Sequence, residues 1–162
     1  MTALSGGCQC GAVRYRIDGA LHNAHICHCR MCQKASGNYF LPLARADNDT
    51  FHVTRGEISW FHSSDVVRRG FCSRCGTPLA FDVIDGDGLN VTLGSLDQPM
   101  TVKPDFQSAE AARMPWFEAL AALPADKDSS AWFDKIAPTN HQHPDHDTET
   151  WDTEFWPLEE RR

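Results

Sequence analysis

Apolar and polar positions alternate through most of the first hundred residues, in short stretches broken by turn residues, as they do in strands that bury one face. In Ala12–Ile17, Arg14 and Arg16 fall on one face and Val13, Tyr15 and Ile17 on the other. The same pattern predicts strands over Ala20–Cys27, Tyr39–Leu43, Thr50–Val53, Ile58–His62, Val66–Phe71, Leu79–Val83 and Leu89–Leu93. Asp18-Gly19, Asp47-Asn48, Arg55-Gly56 and Asp85-Gly86-Asp87-Gly88 punctuate them as turns. Many short strands at this spacing predict a mainly β domain, with two packed sheets or a partly open barrel.

Helical periodicity is confined to the C-terminal part. Met114–Leu123 places Pro115 in a first turn and Trp116, Phe117, Leu120 and Leu123 at helical spacing. Ser129 or Ser130 suits the cap of a short turn through Trp132, Phe133 and Ile136, which Pro138 limits. From His141 onward the composition changes to HQHPDHDTETWDTEFWPLEERR, rich in acid and poor in aliphatic residues, which predicts a solvated tail. Trp151, Phe155 and Trp156 leave a second reading open, in which the tail docks on the body or on a partner subunit. The expected organisation is one domain over 1–138 and an acidic, aromatic-containing tail over 139–162.

Length and composition agree with one domain: 162 residues at 41% hydrophobic suffice for one real core. The apolar runs are far short of the roughly 20 residues that span a bilayer, and MTALSGGCQC lacks the pattern of a secretory signal. A soluble, cytoplasmic protein with no membrane partner is expected. The net charge of −7 is unevenly spread: nine Lys/Arg face eight Asp/Glu in residues 1–90, and six face fourteen in residues 91–162. Without a basic face, nucleic acid is disfavoured as a partner. Self-association is left open.

The chemistry lies in seven cysteines, an odd number in three tight clusters: Cys8-Gln9-Cys10, Cys27-His28-Cys29-Arg30-Met31-Cys32 and Cys72-Ser73-Arg74-Cys75. Cysteines one or two residues apart can turn both sulfurs onto one metal. A closed structural zinc site takes four protein ligands, and a catalytic one typically takes three and leaves a position for water or substrate. Seven divides accordingly. Cys8, Cys10, Cys72 and Cys75 make a closed set from distant segments, and Cys27, Cys29 and Cys32 make an open set within one turn. A partition joining Cys8, Cys10, Cys27 and Cys29 is also open, as is iron–sulfur ligation. An open zinc held by three thiolates is a weak activator of water and a good host for a thiol, which points to carbon–sulfur chemistry.

At GGCQCGAVRY (Gly6–Tyr15), CHCRMCQKASG (Cys27–Gly37) and FCSRCGTPLAF (Phe71–Phe81) the sequence resembles the glutathione-dependent formaldehyde-activating enzyme family, whose domain is shared with centromere protein V. Weaker similarity runs through VTLGSLDQP to PWFEALAALP, so that the resemblance covers roughly residues 5–124. It implies a Mss4-like β-tent of stacked antiparallel sheets with short C-terminal helices and two zinc ions. Cys8, Cys10, Cys72 and Cys75 would be structural, and Cys27, Cys29 and Cys32 catalytic. The implied partners are a small thiol such as glutathione and an aldehyde, with S-hydroxymethylglutathione as the adduct and carbon–sulfur lyase as the reaction class. The chain departs from the pattern at Gln107, near which relatives commonly carry a histidine, and in the acidic tail. The rival expectation is a non-catalytic zinc module that supports an interaction surface.

Other residues are read more plainly. His28 could donate a hydrogen bond behind the ligands, act as a proton shuttle or point outward, and His25 should pack or face solvent. Arg30, Lys34 and Arg74 flank the cysteines, where they could offset thiolate charge or hold a carboxylate. Ser36-Gly37 should end the turn after the triple. Tyr39, Phe40, Trp60 and Phe61 are expected in the core rather than as pocket walls. His141, His143 and His146, with Asp145 and Asp147, are expected to be tail residues rather than a third metal site.

Overall fold

The computed structural model describes residues 3–126 and 129–151. Its strands are β1 (Leu4–Gly7), β2 (Arg14–Ile17), β3 (His22–Cys27), β4 (Leu41–Asp47), β5 (Phe51–Arg55), β6 (Ser59–His62), β7 (Val67–Phe71), β8 (Pro78–Val83), β9 (Gly88–Thr92) and β10 (Phe106–Ser108). They form a three-stranded sheet in the order β1-β2-β5 and a seven-stranded sheet in the order β10-β3-β4-β9-β8-β7-β6. Neighbours are antiparallel except β10, which runs parallel to β3. The mainly β architecture with short helices follows the alternation of the sequence, and all eight expected strands are present within a few residues.

The alternation also explains how the layers form. Val13, Tyr15 and Ile17 are buried with Ala44, Ala46, Leu79, Ala80 and Val91, so the main core lies between the two sheets. On β4, Ala44 and Ala46 join that core, while Leu41 and Leu43 join a second cluster with Cys32. Opposite faces of one strand are thus both covered. The second cover is helix α1 (Arg30–Ser36), which ends on Gly37 in a left-handed conformation (φ 63°), as Ser36-Gly37 suggested.

Two strands escape the alternation rule. β1 reads LSGG, with no large apolar residue to alternate. Its Gly6 lies so close to Tyr15 that a Cβ would collide with the phenol ring. β10 has three residues and exists by pairing with β3, about eighty positions earlier in the chain. The stretch expected as a helix from Met114 is a 3-10 helix over Phe117–Ala122. The short helix through Trp132 is α2 (Ser129–Ile136), with a 3-10 turn over Ala137–Thr139 carrying Pro138.

Arg14 corrects the simple reading of β2. It shares the polar face with Arg16 yet is buried, because the chain folds carboxylates over it. Its guanidinium makes two bonds to Asp97, at 2.8 and 2.5 Å, and one of 2.9 Å to Asp147. Asp97 also accepts from Ser5 Oγ at 2.5 Å. Burial alone would push the Asp97 carboxyl up, but hydrogen bonds from Arg14 and Ser5 and the charge of Arg14 outweigh it and hold the group below its ordinary value. A carboxyl lowered on folding stabilises the fold above its unfolded value and loses that contribution as pH falls through its folded one. Asp97→Asn should therefore cost roughly 3 kcal/mol at pH 7, as expected for half of a broken buried pair. In urea unfolding at pH 7, 4 and 3, the gap between wild type and variant should narrow on acidification below about pH 4.

Candidate metal centres

Cys8 and Cys10 lie in the turn joining β1 to β2, and Cys72 and Cys75 in the turn joining β7 to β8. The four sulfurs lie within 4.8 Å of one another, with Cys8 to Cys10 at 3.6 Å and Cys10 to Cys72 at 3.9 Å. The two turns are built alike. Gly11 N–H donates to Cys8 O at 3.0 Å, and Gly76 N–H donates to Cys72 O at 2.9 Å. Both glycines have left-handed φ, 75° and 76°, which a side chain would strain. Thr77 links the turns: its hydroxyl accepts from Gln9 N–H at 3.0 Å and donates to Cys75 Sγ at 3.1 Å.

This donor set suits a soft or borderline dication such as zinc. Burial pushes the Cys8 thiol far up and that of Cys10 up to about 11. Cys75 is also pushed up by burial, but Thr77's hydroxyl, backbone N–H groups and the Cys10 thiol draw it down to about 6. The Cys8 and Cys10 thiols thus resist ionising, and a bound cation would remove that resistance.

The second group is more open. Cys27 ends β3, Cys29 caps α1 and Cys32 lies in its first turn, with their three sulfurs within 4.8 Å of one another. Cys32 is buried, while Cys27 and Cys29 are half-buried. Burial pushes Cys27 up and Cys32 up to about 12. At Cys29 the same push is outweighed by the Cys32 N–H, which donates to its sulfur at 3.3 Å, and by the neighbouring thiols, leaving it lowered. Among the described residues no fourth donor joins this set. The division into four and three is the one the ligand count favoured.

Several surroundings could not be read from spacing. His28 is fully buried, with Nε2 2.8 Å from Gln107 Oε1 and Phe117 packed edge-on against its ring. β10 supplies Gln107, and its Ser108 carbonyl accepts from His28 N–H at 2.9 Å, so this short strand fixes the cysteine loop. Gln33 Nε2 reinforces it by donating to His28 O at 2.8 Å and Ala112 O at 3.0 Å. His25 stacks on Phe106, as a packing residue should.

Arg69 is the site residue that sequence reading missed. It is 8% exposed, with Nη1 and Nη2 at 3.7 and 3.6 Å from Cys32 Sγ. The signal was present in β7: two adjacent arginines on a strand must face opposite ways, and only one can take the solvent side. Arg69 also lines a cavity of about 530 Å³ with Arg30, Met31, Lys34, Ala35, Phe61 and Ser63. Arg30 and Lys34 thus share a cavity with the arginine that meets Cys32 Sγ. Arg74 is elsewhere, over the Trp151 ring at 4.8 Å.

Phe61 is therefore a cavity wall rather than a core residue, and it is 62% exposed. The reason is its place on β6, an edge strand. Tyr39 is also exposed, packing edge-on against Trp116, whereas Phe40 packs on Phe117 and Trp60 against the main core.

The sequence profile of the glutathione-dependent formaldehyde-activating enzymes matches residues 3–110. The chain belongs to that family. A Halomonas elongata protein named "Putative glutathione-dependent formaldehyde-activating enzyme" is 33% identical over 85 residues, covering 47% of this chain. The chain spans about half of that relative, 54% of its length. A Rhodobacter sphaeroides protein of known crystal structure matches at 20% identity with a TM-score of 0.52, covering 64% of this chain and 99% of its own; it supports the fold. No helix among the described residues is long and apolar enough to cross a membrane.

Beyond the matched region, residues 143–151 lie on the four-cysteine turns instead of extending into solvent. His143 N–H donates to Gln9 O at 2.7 Å, and Trp151 Nε1 donates to Cys10 O at 2.5 Å. Asp147 reaches Arg14, and Arg55 bonds the Thr148 carbonyl. The His143 ring packs where a Cβ on Gly11 would stand. Phe155 and Trp156 lie outside the described residues. Trp151→Ala should remove a hydrogen bond and an aromatic cover, costing about 1–3 kcal/mol. In chelator competition it should speed metal loss from the four-cysteine group several-fold and leave the three-cysteine group unchanged.

Proposed function

We propose that the chain is a zinc-dependent carbon–sulfur lyase-like enzyme that joins a small thiol, glutathione in the leading case, to formaldehyde. One observation carries this reading: three sulfurs form a ligand set with no fourth donor among the described residues, and Arg69, which meets Cys32 Sγ, links it to a cavity walled by cationic and apolar side chains. Cys8, Cys10, Cys72 and Cys75 would hold a structural zinc, and Cys27, Cys29 and Cys32 a catalytic one. Zinc at the latter would supply a Lewis-acidic position that keeps a thiol ionised at neutral pH.

The chain's own residues would do the rest. Arg30 and Lys34, on the cavity wall, would hold the carboxylates of a peptide-like thiol. Met31 and Phe61 would cover its aliphatic part and keep water from the sulfur. The Cys32 N–H restrains the Cys29 sulfur, and the buried His28–Gln107 bond holds the loop that carries Cys27 and Cys29. In the joining step the sulfur lone pair forms a bond to the aldehyde carbon. The C=O π pair moves to oxygen, which takes up a proton in place of the one the thiol released. The product is a hydroxymethyl thioether, and no oxidant or reductant is consumed.

Three measurements test this. Elemental analysis of native protein should give two zinc ions per chain, and one ion or an iron–sulfur absorption band would contradict it. Cys72→Ser should lower the melting temperature more than Cys29→Ser, because Cys72 is buried where the two sheets meet and Cys29 is half-buried at a helix cap. Glutathione should perturb the spectrum of the cobalt-substituted three-cysteine centre, and exchange NMR should show faster adduct formation with formaldehyde. Binding without acceleration would reject the reaction. Neither binding nor acceleration with any small thiol would favour a zinc module supporting an interaction surface.

A further inference from the structure

Arg69 has no carboxylate within ion-pair distance among the described residues, although it is nearly sealed from water. Its neighbour Arg68 has one, Asp82 at 2.6 Å, and stacks on Trp60 towards the other side of the strand. A buried guanidinium left without an anion is strongly destabilising, so a partner of opposite charge is required. The polar atom offered to both of its terminal nitrogens is Cys32 Sγ. The Phe81 ring lies 5.0 Å from the guanidinium carbon and fixes its plane. On the other side Arg69 lines the 530 Å³ cavity. It therefore stands between a metal-ligating sulfur and the space where a substrate would lie.

We propose that Arg69 is the positioning residue of the three-cysteine centre, a fixed counter-charge that lets the centre accept an anionic sulfur as a further ligand. The inference rests on reading that centre as a thiol site. A dication held by three thiolates carries a net charge of −1, and a further thiolate would raise this to −2 in a half-buried place. With Arg69 included, the same two states carry 0 and −1. The penalty for concentrating anions is thereby lowered at the step where the substrate sulfur arrives. Lysine would keep the charge but not the two-nitrogen fork or the stacking on Phe81. A neutral side chain would keep neither.

The experiment uses the full chain as wild type, Arg69→Gln and Arg69→Lys, stripped and reloaded with cobalt(II). Sulfur-to-cobalt absorption reports each centre, and the four-cysteine centre serves as the internal check of folding. Arg69→Gln should bind cobalt at least tenfold more weakly at the three-cysteine centre, and any cobalt form should take up glutathione or 2-mercaptoethanol at least tenfold more weakly. Arg69→Lys should recover most of both affinities. Unchanged affinities in Arg69→Gln would overturn the proposal even if wild type binds thiols well. A wild type that takes up no thiol, combined with weakened cobalt binding in Arg69→Gln, would keep the counter-charge and reject the thiol-site reading. Should Arg69→Gln lose the four-cysteine spectrum as well, Arg69→Lys decides: cobalt affinity within about threefold of wild type supports the charge role, and a tenfold loss overturns it.

Discussion

Four sulfurs at the junction of two sheets, three of them buried and that of Cys75 half-buried, are the constraint on which the rest of the structure depends. Cys8 and Cys10 belong to the hairpin turn of the three-stranded sheet, and Cys72 and Cys75 to a hairpin turn of the seven-stranded one. Bringing their sulfurs within 4.8 Å fixes how the two sheets meet and closes a chain loop of more than sixty residues. Loop closure costs conformational entropy, and a cation shared by the four sulfurs would return free energy against that cost. The matched turns, each with a left-handed glycine after its second cysteine, orient both thiols of a pair to one side.

The same architecture treats the second sulfur group differently. Its three members come from six consecutive residues, so this group ties no distant segments together by itself. Its geometry is imposed from outside, by β10 pairing beside Cys27, by Gln33 bridging His28 and Ala112, and by the capping contact within α1. The result is a pinned loop in which Cys32 is buried while Cys27 and Cys29 remain half-buried. The two sulfur groups thus lie in different surroundings, one in the core between the sheets and one in the smaller cluster on the other face of β4.

Charge follows the same division. The acidic half of the chain lends Asp97 and Asp147 to Arg14, and Thr148 and Trp151 meet Arg55 and Arg74. Arg14, in the near-neutral half, thus meets two of the carboxylates of the acidic half. Arg69 stands apart from this exchange and faces a sulfur.

The sequence by itself determined the strand pattern, because alternation with period two reports which face is buried regardless of what covers it. It also marked the cysteines that could hold metal, because short spacings limit where sulfurs can point. Only the tertiary structure decided that Arg14 and Arg69 are buried, that Phe61 is a wall and that Gln107 meets His28. Each depends on a partner far along the chain or on the edge position of a strand, and local periodicity contains no information about either. For β1 and β10 the reason is length: glycines and three-residue strands carry no alternation, and long-range hydrogen bonding alone makes them strands. The resting place of residues 143–151 was undecided for the same reason. Their polar composition fits solvent equally well until Arg14, Arg55 and the Cys10 carbonyl are gathered into one surface.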